Sequence, residues 1–349
     1  METVLTLARW QGGCMVGLMN LAGRFGACGN VSLKIERQGL LDTIQDQGRR
    51  GFRAFGVPTG GWFDPYHAQL ANALLSNDLN APCVEMTSSS SLFRVINSIR
   101  IAVVGPGSII EIRTAENHLT CYHQSVSMNL NQGDSVQVRH DRHGLRSYLA
   151  VKGGWRGAEA LASHSSEKRL VEGDCVISGI SGDLTARPVC RLSDSLIRNL
   201  SGGPVRLPFV PSDGFKNCCN TYEECSEDLE GWRMSARSNR VGLRFEGPNQ
   251  VLLKSKWPVD SGRLSEPVMP GTIQWTGQEL IILGVAGGTM GGYPTLGQVA
   301  SVALPALAQL TPGQEVQLDP LTVQQARAAM HQDQKKIHQT LSRIRVCVM

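Results

Sequence analysis

The sequence predicts a mainly β protein made of two related halves, with few short helices and a helix at the C-terminus. Three observations carry this: short apolar runs bounded by glycine, a glycine-turn motif that recurs at an offset of 180 residues, and two isolated helical periodicities. The length of 349 residues suits two domains, because single cores stop growing near roughly 250–300 residues. An apolar fraction of 41% with 18% charged residues argues against wholesale disorder. The 38 glycines and 16 prolines follow no G-X-Y period, which excludes collagen and leaves many tight turns between short strands.

Residues 1–30 hold apolar patches, but Arg9 interrupts the stretch where a secretion signal would have its core, so a poorly structured extension is expected. Strands are expected at Arg100-Ile-Ala-Val-Val104, Ser108-Ile-Ile-Glu-Ile112, Ser147-Tyr-Leu-Ala-Val151, Glu279-Leu-Ile-Ile-Leu283 and Val299-Ala-Ser-Val-Ala303. A first helix begins at Asp64-Pro65, an N-cap followed by a first-turn proline, and Tyr66, Leu70 and Leu74 give it one buried stripe that ends near Asn77. The repeat is Leu130-x-x-Gly133-Asp134-x-Val136, matched by Leu310-x-x-Gly313-Gln314-x-Val316 and by Leu170-x-x-Gly173-Asp174-x-Val176. Its glycine supplies positive φ to a turn, and its valine points inward on the strand that follows. Ile101-Ala-Val-Val-Gly105 and Ile281-Ile-Leu-Gly284 lie at nearly the same offset, which supports halves at 31–195 and 196–320. Over 321–349, Val323, Met330, Ile337 and Ile344 recur every seven residues, as in a docking helix. Asp333 and Thr340 spoil the second seam that a coiled coil needs.

The net charge of +4 sits in that last segment, where five basic residues face Asp333 alone; the rest holds 29 basic and 29 acidic residues. A neutral body argues against a nucleic-acid partner, and the lack of any apolar run of 18 residues argues against a spanning helix. The ten cysteines are mostly scattered singly, and the one cluster, Cys218, Cys219 and Cys225, has no CxxC and no nearby histidine. Reduced thiols in the cytoplasm and no metal are therefore expected. There is no Gly-Lys of a P-loop, no His-Glu of a metalloprotease helix and no Met-Lys of a biotin hairpin. The serines around His164 suit a solvated loop better than a nucleophile and its base.

What stands out is polar residues set among glycines. Gln45-Asp46-Gln47-Gly48-Arg49-Arg50-Gly51 puts an acid and two arginines in a loop able to bring backbone close to a ligand, and Gly56-Val57-Pro58-Thr59-Gly60-Gly61 follows. Later come Ser238-Asn239-Arg240-Val241-Gly242, Gly271-Thr272-Ile273-Gln274 and Thr289-Met290-Gly291-Gly292-Tyr293-Pro294. Taken singly, each is explained by a β-turn with a satisfied side chain, and Asp64 by helix capping.

Taken together, these motifs resemble one family. It comprises the C-type subunit of prokaryotic 5-oxoprolinase, the KipI antagonist and the second carboxyltransferase-type domain of urea amidolyase. The likeness starts at Gly39-Leu40-Leu41-Asp42-Thr43-Ile44-Gln45-Asp46 and continues through Leu70-Ala71-Asn72 and Glu85. It then takes in Gly242-Leu243-Arg244-Phe245-Glu246-Gly247 and ends at Leu307-Ala308-Gln309-Leu310-Thr311-Pro312-Gly313. The resemblance implies two cyclophilin-like β-barrel halves and a cytoplasmic, non-autonomous enzyme component. That component would act with B-type (KipI-like) and A-type partners to open the 5-oxoproline lactam to glutamate with ATP, and would carry no biotin. A lactam carbonyl is a poor electrophile, so phosphorylating its oxygen would ease ring opening, and such a site needs cations and a dry pocket. On the resemblance, Arg50 and Arg240 are anion-binding candidates, and Asp46 and Glu85 acid–base candidates. Gln274 and Tyr293 would orient substrate, beside Thr289, Gly291 and Gly292. Arg50 and Arg240 are expected to meet in one cleft between the halves; a structural ion pair with a neighbouring carboxylate is the competing reading of each.

The chain departs from the family pattern at Ala286 and Ala303, where relatives commonly carry Asp, and at Ser88-Ser89-Ser90-Ser91, which replaces a glycine pair. Two further readings stand beside the enzyme component: a regulatory binding protein of the KipI-antagonist type, and a carboxyltransferase component served by biotin on another chain.

Overall fold

The computed structural model describes residues 31–123, 125–141, 143–179, 189–198, 200, 203–218, 229–247 and 264–348. The expected N-terminal extension, Cys219 and Cys225 lie outside the described residues. The architecture is mainly β, as expected, with few helices and a long C-terminal one.

Two sheets face each other in the first half. One runs Trp155–Arg156, Cys175–Ser178, Val31–Arg37, Leu92–Val95, Ser135–His140, Ser108–Arg113, Leu119–Tyr122. The other runs Cys190–Arg191, Val126–Leu130, Ile99–Val104, Arg146–Val151, Cys83–Thr87, Leu41–Gln45. Leu33, Ile35, Phe93, Met86, Val103 and Leu149 fill the space between them. Strand alternation then sends Glu85, Arg146 and Tyr148 to the opposite face of the six-stranded sheet. In the second half, seven strands close a barrel, sealed by parallel pairing of Val205–Pro211 with Glu315–Pro320. Trp232 and Trp275 meet edge-to-face in its core, with ring centroids 6.4 Å apart.

The recurring turn is the same object three times. Gly133, Gly173 and Gly313 take φ of +89°, +88° and +84°. Each donates its amide to a strand, at Val95 O, Ile35 O and Met234 O. The amides of Val95, Ile35 and Met234 return the bond to the carbonyls of Asp134, Asp174 and Gln314. The side chains of those three residues accept from the amides of Asn131, Val171 and Thr311, at 2.8, 3.0 and 3.1 Å. Val136, Val176 and Val316 are buried, as the motif predicted.

Helix α1, Pro65–Leu74, has Asp64 at its N-cap and proline in its first turn. It lays Ala68, Ala71 and Leu74 on the outer face of the six-stranded sheet, against Ala102, Val104 and Ala150. Helices α2, Asp213–Cys218, and α3, Leu304–Gln309, are short. Helix α4, Val323–Val348, docks through Ile337, Leu341 and Ile344 onto the cluster around α1. The Arg345 guanidinium donates to Asn77 O at 2.5 Å, which fixes the far end of that contact. The strand expected over 299–303 is corrected: the strand is Thr295–Val299, and Ser301–Ala303 is a 3-10 turn leading into α3. Pro305 in the first turn of α3 explains the switch, since its fixed φ favours helix initiation there.

Candidate functional site

The outward face of the six-stranded sheet is apolar under α1 and charged where the second barrel covers it. Register puts Tyr148 opposite Glu85 on neighbouring strands. Glu85 Oε2 accepts from the Phe63 amide at 2.7 Å and from the Tyr148 hydroxyl at 2.9 Å. Its Oε1 accepts from the Arg240 guanidinium and lies 3.6 Å from Arg146 Nε. Arg240 comes from the second barrel and is 3% exposed, so this ion pair crosses the seam between the halves in the dry interior. The outer side of Arg240 holds the half-exposed Glu167 in a fork, at 2.8 and 3.0 Å, and also donates to Gly61 O at 2.7 Å. Burial works against the Arg240 charge, but Glu85 and Glu167 outweigh it and raise the guanidinium above its ordinary range. Burial drives the Tyr148 hydroxyl well up, with Glu85 and Asp64 adding to it, so it stays a neutral donor.

Asp64 does more than cap α1. Its carboxylate meets His67 Nδ1 at 2.5 Å and accepts from Gln309 Nε2, of helix α3, at 2.8 Å. His67 Nε2 accepts the Arg198 amide at 3.3 Å, which assigns the ring proton to Nδ1, facing Asp64. Burial opposes ionisation of Asp64, yet His67 and Gln309 outweigh it and hold the carboxyl below the usual range. Gln309 Oε1 accepts from the amides of Leu145 and Arg146, and Arg146 donates to Ala308 O and stacks 4.6 Å over Phe63. Glu85, Arg240, Arg146, Tyr148, Asp64, His67 and Gln309 thus form one buried polar seam.

Asp46 lies apart from the Glu85–Arg240 pair. Its Oδ1 accepts from the Ser163 and Ser165 hydroxyls, each at 2.6 Å, and from the Gly48 amide at 2.8 Å. Its Oδ2 accepts the His164 amide at 2.6 Å. Burial would raise its pKa, but these donors outweigh that and lower it. The loop around His164 is therefore folded onto Asp46 with Ser163 and Ser165 buried, which corrects the expectation of a solvated loop.

Arg50 and Arg240 do not share a cleft. Arg50 is exposed and lines a half-open cleft of about 360 Å³ beside Trp62 and α4, while Arg240 has given its donors to Glu85, Glu167 and Gly61. On the second barrel, Gln274 Nε2 donates to Tyr293 O at 3.3 Å, and a Cβ on Gly291 would lie 2.5 Å from that same nitrogen. Gly292 follows with Ser265 Oγ nearest, and Tyr293 is partly exposed. Thr289 lines a separate cleft of about 640 Å³ with Arg53, Met269 and Met290, and Arg53 crosses to it by donating to Val268 O. The structure thus unites Glu85 with Arg240, and Gln274 with Gly291 and Tyr293, but leaves Asp46, Arg50 and Thr289 separate. Ala286 donates its amide to Arg240 O, and Ala303 packs in the second core, so apolar contact occupies that position.

Sequence reasoning missed Glu167, Arg146, Tyr148, His67 and Gln309. The one local signal was Asp64-x-x-His67 at helical spacing; the others meet across 61 to 245 residues. Among the described residues no group of three or more His, Cys, Asp or Glu is placed to hold a metal ion. No helix among them is long and apolar enough to cross a membrane.

Fold and seam together define a member of the carboxyltransferase domain, subdomain A and B, family. Its pattern matches residues 55–180 and 222–320, and the chain belongs to that family. Among particular proteins, the chain is similar to the C-type subunit of 5-oxoprolinase from Escherichia coli (strain K12), 29% identical over 324 residues that cover 89% of this chain and 97% of that protein. Urea amidolyase of Lachancea kluyveri is 26% identical over 340 residues, 85% of this chain but only 17% of that enzyme. The crystal structure of the K. lactis urea amidolyase matches with a TM-score of 0.75 and 23% identity over 90% of this chain and 20% of that one, a likeness of fold.

Proposed function

We propose that this chain is a C-type subunit of a 5-oxoprolinase, which opens 5-oxo-L-proline to L-glutamate with ATP in the cytoplasm. It would act only together with B-type and A-type partners. The observation that carries the reading is the end-to-end likeness to the C-type subunit of the Escherichia coli 5-oxoprolinase, which spans 97% of that protein. In this reading the buried seam is a positioning element: it locks the closed barrel of the second half against the paired sheets of the first, so that loops from both present one surface. The open positions Thr289, Gly292 and Tyr293 then face substrate or a partner chain. The loop at 287–292 runs into the strand Met290–Gly291 rather than a helix, so its amides gain no helix dipole for a triphosphate. Nucleotide binding is accordingly assigned to the partners, and this chain's residues serve the lactam and the assembly.

The regulatory reading, sequestration of a B-type partner without chemistry, draws on a specific observation. Asp46 and Glu85, the two acid–base candidates, have both carboxylate oxygens engaged in the fold. The test is ATP-dependent glutamate release from 5-oxoproline by purified partners, with and without this chain, and with Tyr293→Phe or Thr289→Ala. Turnover that needs the chain and falls in these variants supports the enzyme component. Full turnover without the chain rejects it, and tight partner binding with no turnover favours the regulator.

A further inference from the structure

We propose that the cleft between α1, the second barrel and α4 is a binding site for an apolar molecule bearing a single carboxylate, with Arg50 as its anchor. The cleft has a volume of about 360 Å³, at the small-ligand end of the usual range of roughly 300–1,000 Å³. Trp62, Leu283, Val285, Leu304, Met330 and Ile337 make its walls apolar. Five polar side chains on it lack a hydrogen-bond partner among the described residues: the Arg50 guanidinium, the amides of Gln69 and Gln334, the Ser301 hydroxyl and the Trp62 indole N–H. The one carboxylate on the lining, Asp333, is held by Arg198 at 2.6 and 3.3 Å, so Arg50 keeps its charge for a ligand.

The charge count sets the ligand class. One free guanidinium matches one carboxylate, with the amides left to take its second oxygen or a neighbouring polar atom. A dianionic phosphate would need a second cation, and Arg198 is already committed to Asp333 and the Tyr66 ring, 4.1 Å away. A compact polar lactam such as 5-oxoproline would leave the apolar walls unfilled, so the site is distinct from the activity proposed above and does not rest on it. Arg50 and the α4 wall, Met330, Gln334 and Ile337, lie outside the family's matched residues 55–180 and 222–320, whereas the rest of the lining lies within them.

Calorimetric titration of the full chain with octanoate and with 1-octanol, which has the same tail and no charge, tests this. Octanoate is expected to bind saturably and roughly tenfold to a hundredfold tighter than octanol, with that preference lost in Arg50→Gln. Met330→Trp, which fills the cleft from α4, is expected to abolish binding of both, with an unchanged melting temperature showing that the fold is intact. Equal affinity for the two probes, no saturable binding, or wild-type octanoate affinity in either variant would overturn the proposal. A single Arg50→Gln fold-change, read against Met330→Trp, also separates charge recognition from mere filling.

Discussion

Two arginines from glycine-flanked loops have opposite fates. Arg240 is buried and holds two carboxylates and a carbonyl, whereas Arg50 is exposed and holds none among the described residues. Both sit in glycine-flanked loops of similar composition, so loop chemistry alone does not separate a structural cation from a binding one. What separates them is whether the opposite half supplies an acid. Glu85 was already turned outward by strand alternation, and the second barrel brought Arg240 onto it; nothing equivalent meets Arg50.

Removing the acid should have the largest effect. Glu85→Ala would leave Arg146 with no carboxylate and Arg240 with Glu167 alone, and cost about 3–5 kcal/mol, read as a lowered urea midpoint. A loss below about 1 kcal/mol would mean the pair is dispensable and the contrast false.

Next comes a buried acid with no cation in contact. Asp42 is fully buried, one oxygen has no partner, and burial pushes its pKa up to about 6 despite the bonds from Ser91. The folded state therefore keeps a proton that the unfolded chain releases near pH 4, and stability falls as pH rises between about 4 and 6. Asp42→Asn should gain on wild type by about 2–3 kcal/mol from pH 4 to pH 7, seen in urea midpoints across that window. A pH-independent gap between the two would assign the burial strain elsewhere.

Smaller effects sharpen the two faces of Arg240. Glu167 is 50% exposed, so Glu167→Gln should cost only about 0.5–1 kcal/mol in thermal unfolding, although it forks the same guanidinium that Glu85 holds from within. Smallest of all, Arg50→Gln should leave stability within about 0.5 kcal/mol by the same measurement. A drop comparable to that of Glu85→Ala would mean that Arg50 is structural too.

What the sequence made legible was local. Each glycine turn announced itself within seven residues, and the α4 seam showed as one apolar residue per heptad. Asp64-Pro65 placed a helix start correctly because capping is settled by the next three residues. The polar seam was hidden because its partners converge only through tertiary structure: Arg240 lies 155 residues from Glu85 and Gln309 lies 245 from Asp64. Arg146 and Tyr148 were concealed differently. They sit in a strand whose Leu149, Ala150 and Val151 make the run read as core, and only the register that sets Tyr148 opposite Glu85 reveals a polar face.

The thrice-used turn carries a consequence for how the chain has been able to change. The residue after its glycine asks only for an oxygen that can receive one amide from the start of the turn, so Asp134, Asp174 and Gln314 fill it alike. Ionisation is irrelevant to that duty, and such a joint tolerates drift between acid and amide. Charge at each of these turns can therefore change, one copy at a time, while the scaffold that frames the seam stays in register.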